Sequence, residues 1–267
     1  MSELQGIYAH LDELRKRIIR IIIVVGIIVT FILAFRLETV ITNGITLYYP
    51  TPDPFHNIAV QITSQMRDTL LPKDVQLIQT APGQAFYAQF YVATLVSIVI
   101  SIPMIVREMT AFIKPALSET EVHAIRTIAA PAIALFVSGM LFSYIVVIPP
   151  TLEFLYQYGS EISVIPFFTV IDFVTFVLHF LIAFGIAFQL PLIMYAATVS
   201  GLTDVKFWRN NIRYAIVVIV IIGAIITPDG TGFTMALVSG PMIGLYVIGM
   251  IILERRENEI KTLKSES

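Results

Sequence analysis

The chain has 267 residues, of which 57% are hydrophobic and 13% are charged, and its formal net charge is −2. Soluble domains usually carry about 25% charged residues, so the composition argues against a soluble enzyme, and the lack of a basic excess argues against nucleic-acid binding. The chain has no cysteine, which excludes disulfides and thiolate metal sites, and its four histidines lack zinc-binding spacing. We therefore expect a membrane protein that needs no metal and no cofactor.

Six apolar stretches are long enough, or nearly long enough, to cross a bilayer as helices, which takes about 20 residues. They lie at 18–36, 88–106, 126–149, 169–198, 212–227 and 233–252. Pro191 removes a backbone donor from the fourth stretch, so we predict a tilt or kink there, and the fifth stretch is short for a bilayer core. The pattern predicts an all-α membrane protein with six transmembrane helices in a single integral domain over 1–267.

The distribution of lysine and arginine predicts the orientation of these helices, because cytoplasmic loops retain positive charge. Fourteen of the 17 basic residues fall on one side of the predicted spans, and only Arg36, Arg67 and Lys73 fall on the other. This bias puts both termini in the cytoplasm. The first apolar stretch lacks a small-residue cleavage site, so we expect an uncleaved anchor.

The largest predicted loop, 37–87, lies on the external side between the first two spans, and we expect it to form a cap. Its prolines at 50, 52 and 54 exclude a regular helix over 48–54. Apolar residues then recur every four positions at Ile58, Ile62, Met66 and Leu70, which predicts a short amphipathic helix on the outer surface.

Polar residues inside the spans are few, and each has a structural and a functional interpretation. Asp172 and His179 lie seven residues apart in the fourth span, where a helix-start carboxylate and a packed imidazole are favoured over a proton relay. Gln189 either bonds across to another helix or bonds the backbone freed by Pro191, and the residues alone do not decide. Gly240 and Gly244 match, weakly, the small-residue spacing of packed membrane helices.

Two polar segments lie on the predicted cytoplasmic side. In the first, at 10–17, Glu13 and Arg17 are four apart on the wet side of an amphipathic helix, which we expect to lie along the membrane surface. In the second, Pro115 ends one segment, Ser118 is a candidate N-cap, and Glu121 falls at the third position of a capping box. From these residues alone, a solvated ion pair for Glu13 and a capping role for Glu121 are the favoured interpretations.

Five motifs in register resemble the TatC subunit of the twin-arginine protein translocase, from residue 10 to about 252. They are His10-Leu-x-Glu13-Leu14-Arg15-x-Arg17, Phe112-x-x-Pro115-x-Leu117-x-x-x-Glu121, Gly139-Met-x-Phe142-x-Tyr144, Phe184-Gly185-x-x-Phe188-Gln189-x-Pro191 and Thr227-Pro228-Asp229. Pro115, Pro228 and Asp229 would be structural motif residues. The chain departs from the family in its single proline before Asp229, where many relatives have two.

The resemblance implies a receptor rather than an enzyme, one that binds the arginine pair of signal peptides on folded cargo. Glu13 and Glu121 would accept the two guanidinium groups, each of which offers a planar fork of donors to a carboxylate, and Phe112 would pack beside the signal. The resemblance also implies that Gln189, where other members carry Glu or Gln, takes part in helix packing and in docking the single-span partners.

The resemblance further implies TatA- or TatB-like single-span partners, a homo-oligomer within the complex and a prokaryotic cell membrane as the location. Transport would be driven by the proton gradient, and the chain has no GxxxxGK[ST] loop that would bind ATP. The alternative is a small proton-coupled secondary transporter that uses Asp172 and His179 as its relay.

Overall fold

The computed structural model describes residues 2–42, 45–72, 75–113, 119–161, 167–227 and 231–265, which are mostly helical. The helices are α1 (Ser2–Ala34), α2 (Ile58–Leu70), α3 (Gln84–Ile113), α4 (Glu119–Phe142), α5 (Ile148–Glu161), α6 (Val170–Ala187), α7 (Leu190–Val199), α8 (Val205–Asn210), α9 (Ile212–Ile226) and α10 (Gly232–Ser265). The strands are β1 (Phe35–Thr42), β2 (Ile45–Pro52), β3 (Gln76–Ile78) and β4 (Phe167–Thr169).

Within the described residues, five helical segments are long and apolar enough to cross a membrane. They are His10–Ala34, Gln84–Phe112, Ile128–Tyr158, Val170–Val199 and Gly232–Asn258. Each overlaps one of the six predicted spans. The remaining predicted span falls on Ile212–Ile226, an apolar helix shorter than the others. The six-span topology and its orientation stay predictions.

The N-terminal segment is helical, as its spacing predicts, and it is continuous with the first span: α1 is one α-helix from Ser2 to Ala34. Its position along the membrane surface stays a prediction. The helix also ends two residues before the predicted limit of the first span, because the β-strand begins at Phe35. The aromatic and β-branched residues of Phe35–Thr42 favour a strand, which ends the helical pattern.

The third apolar stretch continues beyond its predicted end at 149. A π-helical turn, Ser143–Val147, joins α4 to α5, and the helical path runs on to Glu161. Pro149 and Pro150 cannot donate backbone hydrogen bonds to the preceding turn, so the helix widens there instead of stopping. Both prolines fall in the first turn of α5, where proline is tolerated.

The predicted kink in the fourth span is confirmed as a break between α6 and α7. The helix stops at Ala187 and restarts at Leu190, so that Pro191 sits at the start of the new helix. At the break, the Gln189 N–H donates to the Ile186 carbonyl at 2.9 Å rather than to the residue four positions back. The Gly185 carbonyl is thereby left without its usual helical donor.

The segment after α1 contains the amphipathic helix that we predicted and a hairpin that we did not. Strands β1 and β2 pair antiparallel, with Phe35 opposite Pro52, and β3 pairs with β4 in parallel. The Asn57 side chain caps α2 by accepting the Val60 N–H at 3.0 Å. The all-α prediction missed these strands, although the Pro-rich run is non-helical as expected. The position of this segment outside the membrane stays a prediction.

The chain divides into two compact units, each with buried apolar residues of its own. The first comprises Met1–Ala130 and Gly159–Leu178, and the second comprises Pro131–Tyr158 and His179–Ser267. Fully buried residues of the first unit include Val92, Phe173 and Val177, and those of the second include Phe180 and Phe184. Our expectation of a single integral domain stays a prediction.

Candidate functional site

A buried carboxylate on α3 binds two arginines of α1. The Glu108 side chain is only 7% exposed, and its two oxygens accept from different arginines. Arg17 Nη1 donates to Oε2 at 3.0 Å, and Arg20 Nη1 donates to Oε1 at 2.8 Å. A carboxylate buried in this way is costly unless its oxygens are satisfied, and here both are.

Arg17 links this carboxylate to Glu13, one helical turn earlier on α1. Its Nε donates to Glu13 Oε1 at 3.1 Å, and its Nη2 donates to the same oxygen and, at 3.3 Å, to the Ala111 carbonyl. All three guanidinium nitrogens are therefore engaged. We name Glu13, Arg17, Arg20 and Glu108 the ion-pair cluster, whose formal charges sum to zero.

The cluster changes our interpretation of the Glu13–Arg17 pair. We favoured a solvated pair on an exposed helix face, but the Arg17 side chain is only 20% exposed because it lies between Glu13 and Glu108. The neighbouring pair Asp12–Lys16 has the same spacing on α1 and is solvated, with side chains 54% and 72% exposed. The difference arises from α3, which supplies Glu108.

Phe112 lies at the same end of α3 as the cluster. Its ring stacks on His10 of α1, with centroids 4.3 Å apart and an interplanar angle of 18°. His10 precedes Glu13 by three positions and Phe112 follows Glu108 by four, so each aromatic side chain lies one helical turn from a carboxylate of the cluster. The structure thus brings the predicted site residues Glu13 and Phe112 to one surface.

The second predicted carboxylate and the predicted structural motif residues lie wholly or partly outside the part of the chain that the structure describes. Helix α4 begins at Glu119, one residue after the predicted N-cap, and contains Glu121, whose side chain is not described. Pro115, Pro228 and Asp229 are likewise outside the described residues. Their predicted roles stay predictions.

Glu108 is the charged residue that our sequence reasoning missed. It follows Arg107, which we counted only as an orientation signal, and it sits in the last turns of an apolar helix. A signal was present, since Arg17 and Arg20 are three residues apart on one face of a helix that must pack. Two arginines on a packing face require a buried counter-charge, and Glu108 supplies it.

Gln189 bonds across to another helix and also bonds the backbone freed by Pro191, which were the two alternatives from the sequence. Its Nε2 donates to the Ala132 carbonyl of α4 at 3.2 Å and to the Gly185 carbonyl at 3.3 Å. Gly185 is the residue whose carbonyl the α6–α7 break leaves without a donor. The side chain is half-buried and holds α4 to the broken helix. Its predicted role in docking partners stays a prediction.

Two of the resembling motifs meet where α4 crosses α6. A Cβ on Gly139 would lie 2.5 Å from the Phe184 carbonyl oxygen, and one on Gly185 would lie 2.8 Å from the Phe136 ring. Contacts this short admit only glycine. The Phe142 ring also packs on Phe184, at a centroid distance of 6.0 Å. We name Gly139, Gly185 and these phenylalanines the glycine crossing.

By contrast, the predicted small-residue pair on α10 has no close neighbour in the described residues. A Cβ on Gly240 or Gly244 would meet nothing within 4 Å. On the same helix, a Cβ on Gly249 would lie 2.9 Å from Met194 Sδ. The spacing of Gly240 and Gly244 therefore did not identify where α10 packs closely.

Asp172 has a local structural role at the start of α6. Its backbone N–H donates to Thr169 Oγ1 at 3.2 Å, and the same hydroxyl donates to Asp172 Oδ2 at 2.5 Å. This reciprocal pair satisfies a free donor of the helix N-terminus. His179 is exposed. No group of three or more His, Cys, Asp or Glu among the described residues could hold a metal.

The described residues contain five apolar helices of membrane-spanning length, and an ion-pair cluster around the buried Glu108 joins α1 to α3. These features define a polytopic helical membrane protein. The family model for "Sec-independent protein translocase protein (TatC)" matches residues 9–241. The chain therefore belongs to the TatC family, as the motifs indicated. It is a component of a protein translocase and not an enzyme.

Individual relatives agree with this membership. The chain is 56% identical over 262 residues to the Sec-independent protein translocase protein TatC of Cenarchaeum symbiosum (strain A), covering 98% of this chain and 99% of that protein. It is 30% identical over 258 residues to the TatC protein of Aquifex aeolicus (strain VF5), covering 94% and 97% respectively. A crystal structure of the twin arginine translocase receptor TatC matches with a TM-score of 0.70 and 28% identity, over 92% of this chain and 98% of that one.

Proposed function

We propose that this chain is the receptor subunit of a twin-arginine translocase, and that Glu13 and Glu121 bind the arginine pair of signal peptides on folded cargo. The observation that carries the proposal is the placement of Glu13, a carboxylate 38% exposed beside the aromatic surface of Phe112 and His10. A guanidinium fork matches a carboxylate better than an ammonium does, which favours arginine over lysine as the ligand.

Binding of a fluorescent arginine-pair peptide to the detergent-solubilised full-length protein tests this proposal. Glu13→Ala and Glu121→Ala should each weaken binding at least tenfold, the effect of losing about one charge-assisted interaction, and Glu121→Lys should weaken it further. Asp12→Ala is the matched control, since it removes the same charge from the adjacent position of α1. Undiminished binding of the peptide to either glutamate variant would reject the assignment.

The proposed partners are single-span TatA- or TatB-like subunits that dock near Gln189, within a complex that contains several copies of this chain. Support comes from the half-buried amide of Gln189, which already links two helices in the apolar region. Gln189→Leu should reduce co-purification of the partner more than it reduces peptide binding. Gln65→Leu, on the exposed face of α2, should leave co-purification unchanged. The opposite order for Gln189→Leu would leave that side chain a purely structural role.

The proposed location is a prokaryotic cell membrane, with both termini in the cytoplasm and the segment between α1 and α3 outside. The basic residues support this orientation by their distribution. Because the chain has no cysteine, single-cysteine labelling of intact cells has no background from the protein itself. Phe55→Cys, at a side chain 85% exposed, should react with an impermeant maleimide, whereas Tyr8→Cys should react only after lysis. The reverse pattern would invert the topology.

The family membership favours this function over the secondary transporter that we kept as an alternative. The capping bonds of Asp172 agree, since they explain that carboxylate without a relay. Solute flux in reconstituted vesicles that disappears with Asp172→Asn would restore the alternative.

A further inference from the structure

We propose that Arg17 is an internal occupant of the carboxylate that binds a signal arginine, and that Glu108 is the positioning residue that allows Arg17 to release it. The inference rests on the function proposed above, because it concerns how Glu13 becomes available to a ligand. It assigns to the ion-pair cluster an exchange of partners when a signal arrives.

The first step concerns Glu13, which is occupied in the structure. Arg17 directs both Nε and Nη2 at Oε1, in the same donor geometry that an incoming guanidinium would present. A signal arginine must therefore compete with Arg17 for this oxygen. The competitor is intramolecular and one helical turn away, so its local concentration is high.

The second step concerns Arg17, which would be left in a site where its side chain is only 20% exposed. When its two bonds to Glu13 break, the bond from Nη1 to Glu108 and the bond from Nη2 to the Ala111 carbonyl can remain. The guanidinium then keeps a counter-charge without solvation. Glu108 thus lowers the cost of releasing Glu13, because an unpaired buried charge would be strongly unfavourable.

The third step concerns net charge. The four charges of the cluster sum to zero, so an added guanidinium raises the local charge only to +1. Without the Glu108 carboxylate the cluster would already stand at +1, and Arg17 would have Glu13 as its only remaining carboxylate partner in the cluster. Loss of Glu108 should therefore tighten Arg17 on Glu13 and repel the incoming arginine.

The test is binding of the arginine-pair peptide to full-length variants in detergent, with thermal unfolding of each variant recorded alongside. Glu108→Gln should weaken binding about tenfold, because Arg17 tightens on Glu13 and the cluster's charge of +1 repels the incoming arginine. Asp12→Asn, which removes an exposed charge from α1, should change binding less than about twofold. The second substitution Arg17→Gln in the Glu108→Gln background should then restore binding, because the competitor is gone.

This restoration separates partner exchange from a role in folding alone. If Glu108 only stabilised the fold, a second substitution in the same cluster would leave binding as weak or weaker. Unchanged binding by Glu108→Gln, or a double variant no better than the single one, would overturn the inference.

Arg20→Gln keeps the inference testable if Glu108→Gln fails to fold. The Arg20 side chain is 58% exposed, so the substitution should be tolerated, and it releases one oxygen of Glu108. Glu108 can then bind Arg17 more fully, which should tighten peptide binding about threefold. Lys16→Gln removes the same charge from α1 without touching Glu108 and should have a smaller effect. Weaker binding in Arg20→Gln, or an equal effect of the two substitutions, would overturn the inference.

The wild-type protein separates this inference from the proposed function. Equal binding of arginine-pair and lysine-pair peptides, or binding of neither, would overturn both. Selective binding of the arginine pair that survives Glu108→Gln unchanged would overturn only the partner exchange.

Discussion

The ion-pair cluster and the glycine crossing each hold two long helices together, but they do so by different physical means. In the cluster, Arg17 and Arg20 donate hydrogen bonds to the Glu108 carboxylate, which is nearly buried. Another guanidinium group offers the same donors and could form equivalent bonds. In the crossing, glycines at 139 and 185 let helix backbone and phenylalanine rings approach to distances that no side chain permits. Charged contacts can exchange partners, whereas steric contacts cannot, so the first region suits recognition and the second suits a rigid frame.

The sharpest way to break the crossing is Gly139→Ala. The added methyl would meet the Phe184 carbonyl oxygen at 2.5 Å and the Phe188 side chain at 2.8 Å, and a backbone atom cannot move aside cheaply. We expect a loss of about 3 kcal/mol in the free energy of unfolding, measured by chemical denaturation in detergent.

Gly240→Ala is the matched control for this substitution, since nothing lies within 4 Å of the added methyl. It should be neutral or slightly stabilising, because alanine favours a helix over glycine by up to about 1 kcal/mol. Equal losses in the two variants would show that close packing is not what distinguishes Gly139.

Glu108→Ala should break the cluster, with a smaller loss of stability than at the crossing. Both arginines lose a carboxylate, but Arg20 is largely exposed and can be hydrated, whereas Arg17 cannot. Thermal unfolding in detergent should show a clear drop for Glu108→Ala and almost none for Asp12→Ala, whose partner Lys16 is exposed. High salt should not remove the drop, since buried pairs are weakly screened. A drop no larger than that of the control would contradict the buried role.

Gln189→Leu sharpens the comparison, because this side chain adds a polar bond to the steric frame. The substitution removes the bonds to the Ala132 and Gly185 carbonyls, and it replaces the amide with an apolar side chain of similar size. Hydrogen bonds between membrane helices are worth about 0.6 kcal/mol on average, so we expect a loss of about 1 kcal/mol in denaturant unfolding. A stabilising effect would show that the broken helix does not need the amide.

The smallest expected effect lies outside the helices, at a turn between β2 and α2. Backbone N–H groups of His56 and Phe55 and the His56 ring bond the Asp53 carboxylate, which lowers the pKa of Asp53 below its ordinary value of 3.8. Because the pKa of Asp53 is depressed in the folded chain, its contribution to stability is present above pH 3.8 and is lost as pH falls through the lowered pKa.

Asp53→Asn should therefore reduce the loss of thermal stability that occurs as the pH falls below about 4. Asp68→Asn is the control, since Asp68 is an exposed partner of Arg67. The same acid profile in wild type and Asp53→Asn would reject a folded-state role for this carboxylate.

The two regions also differ in how far the sequence could predict them. The break at Pro191 and the amphipathic helix from Ile58 follow from local rules, since one lacks a donor and the other repeats every four residues. The sequence showed the motifs that contain the residues of the glycine crossing. It could not predict that these residues contact each other, because that depends on which helices pack together. The spacing of Gly240 and Gly244 was a misleading indicator for the same reason.

The cluster was harder to predict, because the two pairs made by Glu108 join residues about 90 positions apart. Glu13 and Arg17 have an ordinary i,i+4 spacing that is identical to that of Asp12 and Lys16, and nothing local distinguishes the two pairs. Only the packing of α3 against α1 places Glu108 beside Arg17 and shields both from most of the solvent. Strands β1 and β2 were missed for a related reason, since a Pro-rich run excludes helix without specifying a partner strand.

The π-helical turn at Ser143–Val147 has a consequence for the residues on either side of it. A π turn accommodates one residue more than an α turn, so the angular phase of α5 is offset by roughly 100° from the phase that α4 would have imposed. The direction in which the side chains of α5 point is therefore not set by the angular phase of α4. A single-residue deletion within 143–147 that converts the turn to regular α-helix would therefore leave the later positions of α5 at their present azimuths, whereas a deletion after Val147 would rotate the positions that follow it by about 100°.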